Sequence, residues 1–388
     1  MHSGDFYRNG KFAYKLHQRD IKRSSRLTFR VSIQDKIIYT ITKMVQNKSV
    51  NFVEVPTGYP VKDKTMKLVT GEIDLEQKLE DGAVIVKVLY VSIDPYQRGR
   101  MRDASIKSYA PAFKLNAPID NGGVARVVKT ANSSYKEGDV VYGYFQWSEY
   151  QVISPQEAKA LRVVENKEGL PLSHYVGALG MPGMTSWYGL TLGKQEKGKT
   201  AFISAASGAV GQIVGQLCKR RGMYVVGSAG EDAKVDFLLN ECQFDAAFNY
   251  KKEGPRDALK KYCPNGIDLY WENVGGETLD AVFEAANDFS TIIACGMISQ
   301  YNTTEPYGVK NIMNIVAKRI KMQGFIVLDE FDGQWVQDFF AAVPGWIKNG
   351  EMKVKEDIAE GLENAQDAFI GMLQGKNFGK AMIKVAQE

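Results

Sequence analysis

Residues 200–218 read Thr-Ala-Phe-Ile-Ser-Ala-Ala-Ser-Gly-Ala-Val-Gly-Gln-Ile-Val-Gly-Gln-Leu-Cys, a stretch without a single charge. The apolar run at 201–204 has the length of a buried strand. Ala205, Gly208 and Gly211 then fall three apart, where the chain must turn sharply before a helix. That helix closes on Lys219, Arg220, Arg221 and Gly222, cations in a last turn followed by glycine, which is helix-stop chemistry. Its N-terminus, near Ala209 and Val210, is left to point amides at an anion. The strict pattern G-x-G-x-x-G has glycine where this chain has Ala206, so the turn alone admits two readings: a pyrophosphate cradle, or a tight turn without a ligand.

The segments downstream favour the cradle. Apolar runs at 224–227, 246–250, 267–271, 291–295 and 324–328 join 201–204 as six expected strands. Helical patterns at 231–240, 277–286, 309–319 and 334–348 lie between them. Strand and helix in alternation predict an α/β fold with a doubly wound parallel sheet, whose ligand crevice lies at the carboxyl ends of the strands. Asn273, Val274 and Gly275, and Cys295, Gly296 and Ile298 at the next strand end, are therefore expected to line the crevice. Residues 51–164 differ in texture. Short strand-like runs at 84–92 and 122–128, and a turn at 136–139, predict a mainly β domain ahead of the nucleotide half. The end of the chain, from Phe378, is again strand-like.

Which dinucleotide is expected follows from the tip of the second strand. NAD sites place a carboxylate about 20 residues past the turn, on the ribose diol. This chain reads Gly-Ser-Ala-Gly at 227–230. Ser228 can hydrogen-bond a 2′-phosphate, Lys234 can supply charge one turn later, and Tyr250 ends the third strand. NADP is the expected cofactor.

At 388 residues, 44% hydrophobic and 24% charged, the composition is that of a two-domain globular protein. The net charge of +4 is unevenly placed: residues 1–43 carry ten Lys/Arg against three Asp, leaving 39 basic and 42 acidic groups to the remainder. The slightly acidic body argues against a nucleic-acid partner. Residues 1–43 resemble a mitochondrial transit peptide, or are an upstream extension with no role in the fold. The expected compartment is cytoplasmic, or mitochondrial on the first reading. Two uncharged windows, 175–193 and 200–218, are dense in Gly, Ser, Thr and Gln, so no membrane span is expected. Cys218, Cys242, Cys263 and Cys295 form no C-x-x-C pair, which argues against structural zinc and a disulfide framework.

Five stretches taken together carry a family resemblance: Leu89-Tyr-Val-Ser-Ile-Asp-Pro-Tyr-Gln-Arg-Gly-Arg, Gly180-Met-Pro-Gly-Met-Thr-Ser-Trp, Ser204-Ala-Ala-Ser-Gly-Ala-Val-Gly, Glu272-Asn-Val-Gly-Gly-Glu and Gly375-Lys-Asn-Phe-Gly-Lys. From about Met44 onward the chain resembles zinc-independent medium-chain dehydrogenases/reductases, in the leukotriene 12-hydroxydehydrogenase, prostaglandin reductase and alkenal double-bond reductase group. The resemblance implies a GroES-like domain at 44–173 completed by 351–388, a Rossmann domain at 174–350, and an active site between them. It also implies a homodimer. Tyr90, Tyr109 and Tyr301 match substrate-cleft tyrosines of the plant reductases, with Tyr301 near the nicotinamide ribose, and Asn377 lies in a cofactor-contacting segment. Where zinc relatives carry a ligating cysteine and a Gly-His-Glu segment, this chain reads Val-Ser-Ile-Asp at 91–94 and Asn-Gly-Gly at 121–123.

Without a Lewis acid, simple carbonyl reduction lacks a partner for the developing alkoxide. Conjugate reduction spreads charge into an enolate that neutral donors can stabilise. The expectation is an NADPH-dependent reductase of the double bond of enones or alkenals, a small-molecule electrophile, with Tyr301 as leading donor and Tyr90 and Tyr109 orienting the substrate. The loop after Tyr301 has a single proline, so eicosanoid specificity does not carry over. Two other readings are quinone reduction on the same scaffold and a dinucleotide-binding regulatory protein without turnover.

Overall fold

Thr200–Ile203 is buried along its whole length and pairs in parallel on both sides, with Tyr224–Ala229 on one flank and Ile267–Glu272 on the other. In the computed structural model, which describes residues 44–330 and 333–388, it is an inner strand of a six-stranded sheet. The order is Ala246–Asn249, Tyr224–Ala229, Thr200–Ile203, Ile267–Glu272, Ala286–Ala294, Lys321–Gly324. All its neighbours run parallel. Connections leave Thr200–Ile203 in opposite directions, so a crevice opens at its carboxyl end. Inside the sheet Phe202 stacks on Tyr270 with ring centroids 5.2 Å apart and on Phe248 at 6.0 Å; such pairs add about 0.5–1.5 kcal/mol beyond area burial.

The helix after the turn runs Gly211–Arg220, and Gly222 follows at φ +77°, as the stop signals require. Helices at Asp232–Asn240, Gly276–Ala285 and Gln334–Lys348 occupy the other places read from periodicity, except one. At 309–319 only Asn314–Ala317 is helical. The buried Asp280 carboxylate, on Gly276–Ala285, takes the Lys310 and Asn311 N–H groups at 2.9 and 2.8 Å and ties the start of that segment to this helix. The sixth strand is also displaced, to Lys321–Gly324. An edge strand needs no apolar run. The apolar residues at 325–328, expected as strand, turn instead toward the crevice, where Phe325 packs on Trp271 and Tyr188.

Two further sheets make up the rest, one antiparallel and one antiparallel except for the parallel pair Glu356–Glu360 and Lys380–Lys384. Met66–Asp74, Met44–Phe52 and Ala117–Pro118 form one. The other runs Glu356–Glu360, Lys380–Lys384, Val84–Ser92, Asp120–Thr130, Val140–Gln146, Arg162–Val163, with Tyr150–Ile153 also pairing to Val84–Ser92. Lys380–Lys384 lies antiparallel against Val84–Ser92, so residues far apart in sequence share one sheet. The expectations about residues 1–43 lie outside the described residues. Among the described residues no helix is long and apolar enough to cross a membrane.

Candidate active site

One cavity of about 920 Å³ runs from the turn after Thr200–Ile203 to a wall of tyrosines. Of the cofactor-side residues named from the sequence, all but Gly275 line it: the turn from Ala205 through Gly208, Ala209, Val210 and Gly211; Ser228, Lys234 and Tyr250; Asn273, Val274, Cys295, Gly296 and Ile298; and Tyr301 and Asn377.

The turn is held from inside. Ala205 sits at φ +46°, in the left-handed region, and its carbonyl accepts the Gly208 N–H at 3.0 Å. The Ala206 N–H donates to the Ser228 carbonyl at 2.8 Å, tying the two strand tips together. Gly208 bridges to Gly379, so the C-terminal segment forms the opposite wall. A Cβ on Gly211 would lie 2.6 Å from the Ala205 carbonyl oxygen and 2.7 Å from the Ala206 Cα, both backbone. The helix can pack this close only because the side chain is absent. Gly211→Ala should therefore lower stability by about 1–3 kcal/mol and weaken dinucleotide binding, as urea unfolding and NADPH titration will read; a variant matching the parent in both would show that the turn shifts without penalty.

The donors here suit a phosphorylated dinucleotide. No carboxylate stands at the 227–230 tip. Lys234 is buried, its Nζ donating to the Gly375 carbonyl at 2.7 Å and lying 3.2 Å from Glu231 Oε1. Asn377 Nδ2 donates to the Gly379 carbonyl at 2.8 Å.

At the next strand end, the Asn273 side chain is engaged by the fold. Its Nδ2 donates to the Ser204 carbonyl at 2.7 Å and its Oδ1 accepts from Trp271 Nε1 at 3.2 Å. Beneath it Glu272, fully buried, gathers the Tyr270 hydroxyl and the Val274 and Gly275 N–H groups on Oε1 at 2.6–2.8 Å. Burial raises its carboxyl above the ordinary range. Burial also pushes the Cys295 thiol up to about 12, so it lines the cavity as a neutral group.

The tyrosines divide. The Tyr301 hydroxyl accepts the Met297 N–H at 3.2 Å, and among the described residues no acceptor takes its proton. Burial raises its phenol above the ordinary value. Tyr109 stands 64% exposed at the mouth, its hydroxyl pushed up to about 12 by desolvation. Tyr90 is a correction: it does not line the cavity. It is 5% exposed in the hydrophobic core and its hydroxyl donates to Glu388 Oε1 at 3.1 Å, because its position on Val84–Ser92 turns the ring inward.

Sequence reasoning missed Tyr96 and Tyr144, which do line the cavity. The signal was present for Tyr96: it follows Asp94-Pro95 directly after a strand, where proline fixes the turn at a crevice edge. Tyr96 also contacts Tyr109, ring centroids 6.5 Å apart. Across the cleft, Arg98 donates to the Pro56 and Gly58 carbonyls and to Asn302 Oδ1 at 3.0 Å, clamping the segment that follows Tyr301.

The two segments that stand where zinc relatives carry their ligands bind each other, Asn121 Nδ2 donating to Asp94 Oδ2 at 3.0 Å. Among the described residues no group of three or more His, Cys, Asp or Glu side chains is placed to hold a metal ion.

Comparison with known proteins agrees with this architecture. Residues 48–161 match a family model described as the N-terminal domain of oxidoreductase, and residues 209–343 one described as zinc-binding dehydrogenase. The chain is 46% identical over 351 residues to a zinc-type alcohol dehydrogenase-like protein of Schizosaccharomyces pombe, covering 89% of this chain and all of that one. It is 44% identical to a 2-alkenal reductase (NADP(+)-dependent) of Nicotiana tabacum, covering 89% and 99%. The crystal structure of CurA in complex with NADPH from Vibrio vulnificus superposes with a TM-score of 0.80 at 36% identity, covering 88% and 100%. The chain belongs to the medium-chain dehydrogenase/reductase family, within its leukotriene 12-hydroxydehydrogenase, prostaglandin reductase and alkenal double-bond reductase group.

Proposed function

We propose that the protein uses NADPH to reduce the carbon–carbon double bond of α,β-unsaturated ketones or aldehydes. The observation that carries this reading is the junction inside the cavity. There the dinucleotide turn runs into a tyrosine-lined chamber, and Tyr301, its oxygen engaged by the Met297 N–H, keeps its proton for the chamber. The kinship with the tobacco 2-alkenal reductase and with NADPH-bound CurA supports it.

Bound along the cradle, NADPH supplies hydride from its nicotinamide. The chain's own residues do the rest. Amides of the 205–211 turn receive the pyrophosphate, and Ser228 and Lys234 receive the 2′-phosphate. Asn273, Cys295, Gly296 and Ile298 wall the nicotinamide end. Tyr301 holds its proton at the carbonyl oxygen, where negative charge gathers as the enolate develops. A neutral phenol suffices there, and its raised pKa keeps it a donor through the neutral range. Tyr96 and Tyr109 confine the substrate against that end.

Lys234→Ala should raise KM for NADPH about tenfold or more while leaving that for NADH within about twofold, since only the former carries the extra phosphate. Equal effects on both cofactors would remove Lys234 from the phosphate site. The reaction itself is tested by NADPH oxidation over a panel of enones, alkenals and quinones with product identification by mass. The expected product gains two hydrogens and keeps its carbonyl. Turnover of quinones alone would reassign the enzyme, and tight NADPH binding without any oxidation would make it a binding protein.

A further inference from the structure

Three lysines stand around the tip of Tyr224–Ala229, and two of them are paired. Lys234, its side chain 4% exposed, holds Nζ 3.2 Å from Glu231 Oε1, which offsets its charge. Lys252 Nζ bonds Asp232 Oδ2, and Asn249 Nδ2 donates to Asp232 Oδ1 at 2.8 Å. Lys251 is exposed, and among the described residues its ammonium has no acid partner. The two acids beside the tip are thus cancelled by two cations, and one positive charge is left over.

Strand register brings that charge to the cavity. Ala229 lies opposite Asn249 in the parallel pair, and the Tyr250 N–H donates to the Ala229 carbonyl at 3.0 Å, so Ala246–Asn249 delivers Tyr250 and Lys251 beside Gly230. Asn249 fixes the turn that follows, its Oδ1 accepting the Lys251 N–H at 3.1 Å. A Cβ on Gly230 would stand 3.0 Å from the Tyr250 hydroxyl and 3.3 Å from Lys251 Cε, with the ammonium one bond beyond. Ser228, Gly230 and Tyr250 line the cavity. The Lys251 stem therefore lies against its rim.

We propose that Lys251 is a specificity-determining residue for the cofactor: it meets the 2′-phosphate from the end of Ala246–Asn249, as Lys234 does from the helix after Tyr224–Ala229, and carries a large share of the preference for NADPH over NADH. A phosphate monoester brings a charge of about −1.5 to −2. Lys234 answers it with a charge that Glu231 already offsets, and Lys252 is committed to Asp232, whereas Lys251 answers with a charge that no acid shares. Its four-carbon stem lets the ammonium reach the phosphate without any change in the backbone. The proposal rests on the placement of the 2′-phosphate at Ser228 and is independent of the substrate.

The test is calorimetric binding of 2′,5′-ADP and of 5′-AMP to the nucleotide-free full chain, since the two ligands differ only in the 2′-phosphate. The parent should bind 2′,5′-ADP at least about tenfold more tightly than 5′-AMP. Lys251→Ala should cut that ratio about fivefold or more while leaving the affinity for 5′-AMP within about twofold, because only the phosphate loses a partner. Lys251→Glu should cut the ratio further, and Lys251→Arg should restore most of it. Added salt should narrow the parental ratio more than that of Lys251→Ala, an effect that a packing role would not produce. A ratio in Lys251→Ala within about twofold of the parental one, or an equal loss for both ligands, overturns the proposal. A parent that binds the two ligands alike would overturn the placement of the phosphate itself, so failure of that placement and failure of Lys251 are read apart.

Discussion

Tyr301→Phe should lower kcat/KM for an enone about 10²–10³-fold, the loss measured when one donor to a developing oxyanion is deleted. The fold explains why the effect should be this large. The Met297 N–H fixes the phenol oxygen at 3.2 Å, and a Cβ on Gly296 would stand only 3.0 Å from it, so the ring has one place to sit and its proton one direction to point. Phenylalanine keeps that packing and removes only the donor. The loss should therefore fall on kcat, with NADPH affinity changed less than about threefold. Steady-state kinetics with fluorescence titration of NADPH will separate the two. A variant that retains more than half the parental kcat/KM would take Tyr301 out of the chemistry and leave it as packing.

The second large effect is on stability. Lys380→Ala should cost about 3–5 kcal/mol, because it breaks a buried ion pair from one side. The Lys380 side chain is 3% exposed, and its ammonium donates to the Ile93 carbonyl at 2.7 Å, to the Ala381 carbonyl at 2.8 Å and to Asp94 Oδ1 at 2.9 Å. Burial lowers its pKa, the mark of a charge taken out of water. Truncation leaves Asp94 and two carbonyls without that partner inside the sheet. Replacing both members, as in Lys380→Met with Asp94→Leu, should cost less than the single change, since no unpaired charge remains. Urea unfolding with an unchanged slope will measure both variants. A loss below about 1 kcal/mol for Lys380→Ala would mean that water reaches the pair.

How far this molecule was legible in its sequence depends on whether a signal was local. The turn at 205–211 and the strand at 201–204 were readable because a buried parallel strand and a close-packed turn each restrict residue type over a few consecutive positions. The run at 325–328 misled because an apolar stretch reports burial, not the partner it is buried against; here the partner is the cavity wall and Trp271. The helix pattern at 309–319 forms only at Asn314–Ala317, and it could not disclose that Asp280, about 30 residues earlier in the chain, ties down Lys310 and Asn311. Tyr90 and Tyr96 show the same limit at the site. Both lie in one quoted stretch, six residues apart, yet one faces the core and the other the chamber. The turn at Pro95 was readable for Tyr96, but the strand register that turns Tyr90 into the core is not disclosed by residue types. The coupling of Lys380 to Asp94 is further still from local reading, since it spans 286 positions and exists only because Lys380–Lys384 pairs with Val84–Ser92.

Conjugate reduction places the hydride of NADPH on the β-carbon of the enone, carbonyl reduction on the carbonyl carbon. NADPH deuterated at nicotinamide C4, turned over with an enone and analysed by NMR of the product, distinguishes the two. Deuterium on the β-carbon of a saturated ketone or aldehyde is the predicted result. Deuterium on a carbinol carbon, with the double bond intact, would contradict it.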